Sequence, residues 1–180
     1  IRILKKCYDM MKKWVEYQSS TDRRNYGVRT VDGKEVPEQS DLATIPYIQV
    51  QQCRGDHLTY DNSTPYIYSA TAYAAHSADI LRRTAYIFGK TDDETRFAAL
   101  RDRVIDGFLQ RFTNLDGTMT SDTQCAYALA IAFGLLDGEP VRRVKAGNRL
   151  ACLVRESGGK VSTGFAGTPF VLPALTMTGH

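Results

Sequence analysis

The chain has 180 residues, 43% hydrophobic and 24% charged, with a net charge of +3. That length is enough for one domain with a sizeable core, and the composition is that of a globular protein. The basic residues are scattered, so nothing points to a nucleic-acid partner, and no stretch reads as a signal peptide or a membrane span.

Residues 3–17 carry Leu4, Cys7, Tyr8, Met11, Trp14 and Val15 at helical spacing, with Lys5, Lys6, Lys12 and Lys13 largely off that stripe. This predicts an amphipathic helix with one wet face. From 19 to 63 the chain turns polar, with Asn25-Tyr26-Gly27, Asp32-Gly33 and Pro37 as turn signals. A loop that long is usually functional or contains short strands. Thr64 then Pro65 predicts an N-cap with proline at the first helical position, and a mostly apolar helix over 65–88 stopped by Gly89.

Thr91 with Glu94 reads as a capping box opening a helix over 92–112. Its stripe is Phe97, Leu100, Val104, Ile105, Phe108, Leu109 and Phe112. Asn114 to Gly117 predicts a turn, extended as a small hairpin through Met119. Residues 121–136 then run apolar on every side, opened by a second Ser121/Gln124 capping box and closed by Gly134 and Asp137-Gly138. A helix of that kind must be surrounded by protein. Residues 140–155 are one-sided again, with Val141, Val144, Leu150, Leu153 and Val154 opposite Arg142, Arg143, Lys145 and Arg149. The basic side reads as a solvated outer face. Gly158-Gly159 ends that helix, Thr168-Pro169 repeats the Thr64-Pro65 start, and 170–177 is apolar almost throughout.

The helices thus alternate amphipathic and apolar, which predicts an all-α fold in two concentric layers: part of an (α/α)6 toroid. The equal-length repeats of a solenoid are not visible. In such a ring the polar segments 52–64, 116–124 and 160–168 emerge at one end, where helix N-termini offer free N–H groups. That opening is the place for a ligand.

The cysteines at 7, 53, 125 and 152 include no Cys-x-x-Cys pair. Cys125 and Cys152 fall inside apolar helical pattern, so they read as buried free thiols. Cys53 and His57 lack the second pair that a metal site needs. His76, on a mostly apolar helix, reads as a hydrogen-bonded interior histidine. Gly158-Gly159-Lys160 is not a phosphate loop, because Val161 stands where Ser or Thr must follow the lysine. Asn62-Ser63-Thr64 is formally a glycosylation sequon, made unfavourable by Pro65 and the helix start.

Gly55-Asp56-His57-Leu58, followed by Ser63-Thr64-Pro65 and 71–77, resembles the α-L-rhamnosidases of glycoside hydrolase family 78. So do 124–130 with Gly134-Leu135-Leu136, and above all 158–169, GGKVSTGFAGTP, with Leu172-Pro173-Ala174-Leu175 and Gly179-His180 behind it. The resemblance implies that 1–180 is one domain, the central portion of a six-hairpin (α/α)6 catalytic barrel. It implies hydrolysis of a terminal α-L-rhamnose with inversion, by one carboxyl acid and one carboxylate base, without metal or organic cofactor. The family's acid motif is not found in 1–54, and its base glutamate would fall after His180. The catalytic carboxylates are therefore expected outside this chain, in the rest of a longer parent protein, and the chain alone is expected to be inactive. His57 stands where the family usually has Trp.

The resemblance implies Asp56, His57, Gln124, Thr163 and Phe165 as substrate-contacting residues. Four of them have a plainer reading. Asp56 reads as a loop carboxylate capping backbone donors, His57 as an exposed loop histidine, Gln124 as a helix cap and Phe165 as a core residue. Asp56 and Asp122 are the carboxylates to suspect if the chain turns over substrate. The other classes are a helical-hairpin module binding a peptide along its concave face, and a six-hairpin glycosidase acting on another sugar such as a uronic acid. An open ring exposes apolar helix faces, which predicts self-association.

Overall fold

The computed structural model describes residues 2–19, 28–31, 34–37, 55–60 and 64–180. Within them, α1 spans Arg2–Ser19, α2 Tyr66–Ile87, α3 Thr91–Phe112, α4 Gln124–Ala132, α5 Pro140–Glu156 and α6 Thr168–Met177. Two short strands, β1 (Val28–Val31) and β2 (Lys34–Pro37), pair antiparallel with Val31 opposite Lys34. They supply the strands that a long polar stretch was expected to hold. The turn signals at 25–27 and 32–33, Cys53 with its metal reading, and the Asn62-Ser63 part of the sequon lie outside the described residues.

Helices α1 and α3 both lie on α2, and α4 contacts α2, α5 and α6. An inner layer of α2, α4 and α6 is therefore jacketed by α1, α3 and α5, the alternation of an (α/α)6 toroid. The core follows from it. In α4 every residue from Gln124 to Ile131 is buried. Tyr68 of α2 is fully buried, donates its hydroxyl to Ala126 O at 2.8 Å, and packs edge-on to Phe108 of α3 with ring centroids 4.8 Å apart. One side chain thus ties three helices, and its polar tip is satisfied by the helix it reaches. At the α1–α3 contact, Asp93 accepts from Tyr8 Oη at 2.8 Å and from Lys12 Nζ at 2.7 Å.

Several local expectations are corrected. The apolar run 121–136 is helical only over Gln124–Ala132, and its cap is Thr123, whose Oγ1 accepts from Ala126 N at 3.1 Å. Ser121 is not the cap, because the backbone is still extended at Thr123. Gly134, at φ 68°, then lets the chain leave the helix. The Thr91/Glu94 box does not form either: the cap position is Lys90, without a side-chain bond. Likewise Pro65 occupies the cap position of α2, while Thr64 Oγ1 pairs with Thr123 Oγ1 at 2.6 Å.

The face assignment of α5 also changes. Val141 and Val144 point outward, whereas Ala146, Gly147, Leu150 and Ala151 are buried. Gly147 explains this: a Cβ there would lie 2.5 Å from Thr178 Cβ, so the helix turns its smallest residue to its neighbour. Trp14, placed by its spacing in the apolar stripe of α1, is instead 55% exposed and stacks on Tyr17. Cys152 is exposed; Cys7, Cys125 and Cys152 are free thiols.

His76 lies parallel to the Phe133 ring at 4.0 Å and 7°, a stacking contact in place of the expected hydrogen bond. Burial holds its pKa below the ordinary histidine value of 6.5. The unfolded chain then binds a proton that the folded ring refuses, so stability falls as pH drops through about 6.5. His76→Phe keeps the stack and should flatten that part of the pH–stability curve in urea melts; an unchanged slope would remove His76 as its source.

Candidate functional site

The site begins with a turn. Thr59 N donates to Asp56 O at 3.2 Å, and Leu58 sits at φ 63°. That left-handed conformation costs a branched residue on the order of 1 kcal/mol, and it persists here on a side chain that is 70% exposed. What holds the turn is its fit against 162–167. Thr59 Oγ1 donates to Ser162 O at 2.9 Å, and Phe165 N to His57 O at 2.9 Å. Asp56 is buried, 3% exposed; its Oδ2 accepts from Gly164 N at 2.8 Å and its Oδ1 from Gly167 N at 2.9 Å. Gly164 leaves no room for a side chain, since a Cβ would run into the Asp56 and His57 carbonyls.

Gln124 secures the other side of the same loop. Its Nε2 donates to Lys160 O at 3.0 Å and Ser157 Oγ at 3.2 Å, and its Oε1 accepts from Ser162 N at 3.1 Å. Thr163 Oγ1 pairs with Thr168 Oγ1 at 2.8 Å on the open side. The segments before α2, α4 and α6 are therefore bonded together at one end of the inner layer. Asp56 and Gln124 stand inside this junction with their polar atoms occupied; His57, Thr163 and Phe165 stand at its edge.

Phe165 is 72% exposed, so it is not a core residue. Its ring lies 6.2 Å from that of His57 at 46°, and the two form the rim of a cleft of about 500 Å³. Gln18, Gly55, Ser69, Ala70, Tyr73 and Ala166 complete the lining. Tyr73 donates its hydroxyl to Ala166 O at 3.0 Å, which fixes the ring as wall. Gln18 and Ser69 were not singled out by sequence reasoning. Nothing in their local pattern marks them, because the cleft forms where α1 ends beside the start of α2.

A second depression, about 400 Å³, is lined by Asp122, Thr123, Gln124, Leu153, Glu156, Ser157 and Ser162. Arg149 clamps Asp122 with bonds of 2.9 and 2.7 Å and reaches Glu156 at 2.8 Å. The bond to Arg149 holds the Asp122 carboxyl below its ordinary range. Such a group stays ionised and paired, which unsuits it to deliver a proton. Arg142 and Arg143 are also paired, with Glu139 and Asp137. The basic side of α5 is thus a set of ion pairs and not a phosphate stripe. Among the described residues no three His, Cys, Asp or Glu side chains gather as a metal site, and no helix is long and apolar enough to cross a membrane.

Comparison with known proteins adds three findings. A family profile described as the bacterial alpha-L-rhamnosidase 6 hairpin glycosidase domain matches residues 1–180. An alpha-L-rhamnosidase of Streptomyces avermitilis is 40% identical over 126 residues, covering 70% of this chain and 12% of its own length. One of Formosa agariphila is 30% identical over 183 residues, covering 100% of this chain and 18% of its own. The crystal structure of the Streptomyces avermitilis alpha-L-rhamnosidase complexed with L-rhamnose superposes with a TM-score of 0.79 at 31% identity, over 99% of this chain and 15% of that one. The chain therefore spans less than a fifth of the length of these relatives.

Proposed function

Since the chain belongs to the bacterial α-L-rhamnosidase six-hairpin glycosidase domain family, we propose that it forms barrel wall and part of the substrate mouth of an enzyme hydrolysing terminal α-L-rhamnose from rhamnosides. The observation that carries this reading is the junction at the inner-helix N-termini. There 55–58 and 158–169, two of the segments that carry the family resemblance, are bonded to each other around an open aromatic rim. His57, Thr163 and Phe165 contact the sugar, with Phe165 as the ring under it in place of a tryptophan at 57. Asp56 and Gln124 act on substrate through the loop they hold.

The reaction is inverting. One carboxylic acid protonates the glycosidic oxygen as its bond to the anomeric carbon breaks. A carboxylate deprotonates the water that attacks that carbon from the opposite face, the two groups standing roughly 6.5–9.5 Å apart. Both are contributed by parts of the barrel outside this chain, a reading supported by Asp56 being spent on two backbone amides and Asp122 on Arg149. The apolar side chains that α1 and α6 turn outward, among them Ile3, Met10, Leu172 and Met177, are covered by neighbouring hairpins in a full toroid and drive self-association of this chain alone.

The test is ligand-observed NMR of the chain with L-rhamnose against L-fucose, D-mannose and D-glucuronate, with an aryl α-L-rhamnoside added to watch for hydrolysis. Selective rhamnose binding that weakens about ten-fold in Phe165→Ala, without turnover, is the expected result. Preference for D-glucuronate would move the assignment to a uronic-acid glycosidase, and hydrolysis would place the carboxylates within the chain.

A further inference from the structure

Helix α5 belongs to the outer layer and carries none of the residues assigned to the sugar, yet it grips the segment leading into α4 at two heights. Near its middle the Arg149 guanidinium forks onto Asp122, Nε to Oδ1 at 2.9 Å and Nη2 to Oδ2 at 2.7 Å, while Nη1 donates to Glu156 at 2.8 Å. Just past its end, Ser157 Oγ accepts from Gln124 Nε2 at 3.2 Å. Asp122 and Gln124 flank Thr123, the cap of α4, whose hydroxyl also pairs with Thr64 ahead of α2. The buried Tyr127, one turn into α4, brings its hydroxyl to the same Asp122 carboxylate. All three guanidinium nitrogens and both carboxylate oxygens of Asp122 are thus engaged.

The exposure of this clamp argues against a role in global stability. The Asp122 and Glu156 side chains are 54% and 59% exposed, and ion pairs so well solvated add little to folding. A planar fork nonetheless fixes both distance and angle between its partners, and here the partner is the residue before the α4 cap. With that residue held, the Gln124 amide meets Lys160 O and Ser162 N in one register, and the loop so fixed carries Thr163 and Phe165. We infer that Arg149 is a positioning residue for sugar binding: its fork on Asp122 sets the register of 122–124, and through Gln124 the placement of the 160–165 loop. This rests on the rhamnosidase reading for the identity of the sugar.

The experiment measures L-rhamnose affinity by NMR titration, with the melting temperature and the backbone amide signals of Ser162, Gly164 and Phe165 recorded alongside. Arg149→Met should weaken binding about five-fold and displace those amide signals, while the melt stays within about 2 °C of the parent. Arg149→Lys keeps the charge but not the fork, and should lose nearly as much as Arg149→Met. In a Gln124→Ala background Arg149→Met should cost nothing further, because the path it acts through is already cut. Unchanged affinity, affinity lost only in step with the melt, full activity of Arg149→Lys in binding, or additive losses in the double variant would each overturn the inference. A parent chain that prefers D-mannose or D-glucuronate removes the rhamnosidase reading alone, and the same comparisons are then made on that sugar. If no sugar binds, the amide signals decide: unmoved in Arg149→Met, they overturn the coupling; displaced, they uphold it without the rhamnosidase reading.

Discussion

Asp56→Asn should cost about 3 kcal/mol and lower the melting temperature by about 6–12 °C. The carboxylate accepts two backbone N–H bonds at 2.8 and 2.9 Å in a site that is 3% exposed. Hydrogen bonds to a charged acceptor are worth roughly 1.5–3 kcal/mol each. Asparagine keeps one acceptor and turns an NH₂ group toward the second amide, so two donors face each other without water. The loss is local in origin but reaches the site, because the amides belong to Gly164 and Gly167, on either side of Phe165. Rhamnose affinity should therefore fall together with the melt, even though Asp56 itself is buried beneath the rim. A melt within about 2 °C of the parent would show that the two bonds contribute little.

Gly164→Ala should be at least as damaging, beyond the roughly 1–3 kcal/mol of ordinary overpacking. Its added carbon would lie 2.5 Å from Asp56 O and closer still to His57 O, both of them main-chain atoms with no rotamer to escape into. Relief requires the 162–167 loop to lift from the 56–59 turn, breaking the Asp56 bonds and the Phe165 N to His57 O bond together. Gly158→Ala is the control. It meets nothing within 4 Å and pays only for its φ of 71°, about 1 kcal/mol. Urea denaturation of the pair separates the two causes: equal losses would mean that backbone conformation, not space, is what Gly164 supplies.

These two residues show how far the sequence can be read. The 158–169 motif and the Gly55-Asp56-His57-Leu58 turn stood out as residues, and the alternation of amphipathic and apolar helices placed both at one end of the barrel. Their mutual contact was not legible. The Asp56 bonds to Gly164 and Gly167 close over separations of 108 and 111 residues, and no local pattern encodes which donors a carboxylate will meet. Phe165 is the converse case. An aromatic between glycines suits a core or a surface equally, and only the packing of its loop on the 56–59 turn turned it outward.

Helix caps failed for a related reason. Ser121/Gln124 and Thr91/Glu94 have the right spacing, but spacing describes an isolated helix. In the folded chain Gln124 is drawn to Lys160 and Ser162, and Thr64 to Thr123, so these two side chains, free to cap in a peptide, are committed to other segments; the absence of the Thr91/Glu94 box has no such explanation in the structure. On α5 the apolar count favoured Val141 and Val144, yet the buried face went to Ala146 and Gly147, because close approach to Thr178 rewards small size over hydrophobicity.

By itself, then, the sequence determined the order and number of the described helices and their alternation of wet and dry, because periodicity and turn residues act within a few positions; the family entered through the resemblance of its motifs. The tertiary structure alone decided which polar side chains are spent on the backbone and which face the cleft. That choice depends on which groups lose water together, and burial is a property of the assembled layers and not of any one segment.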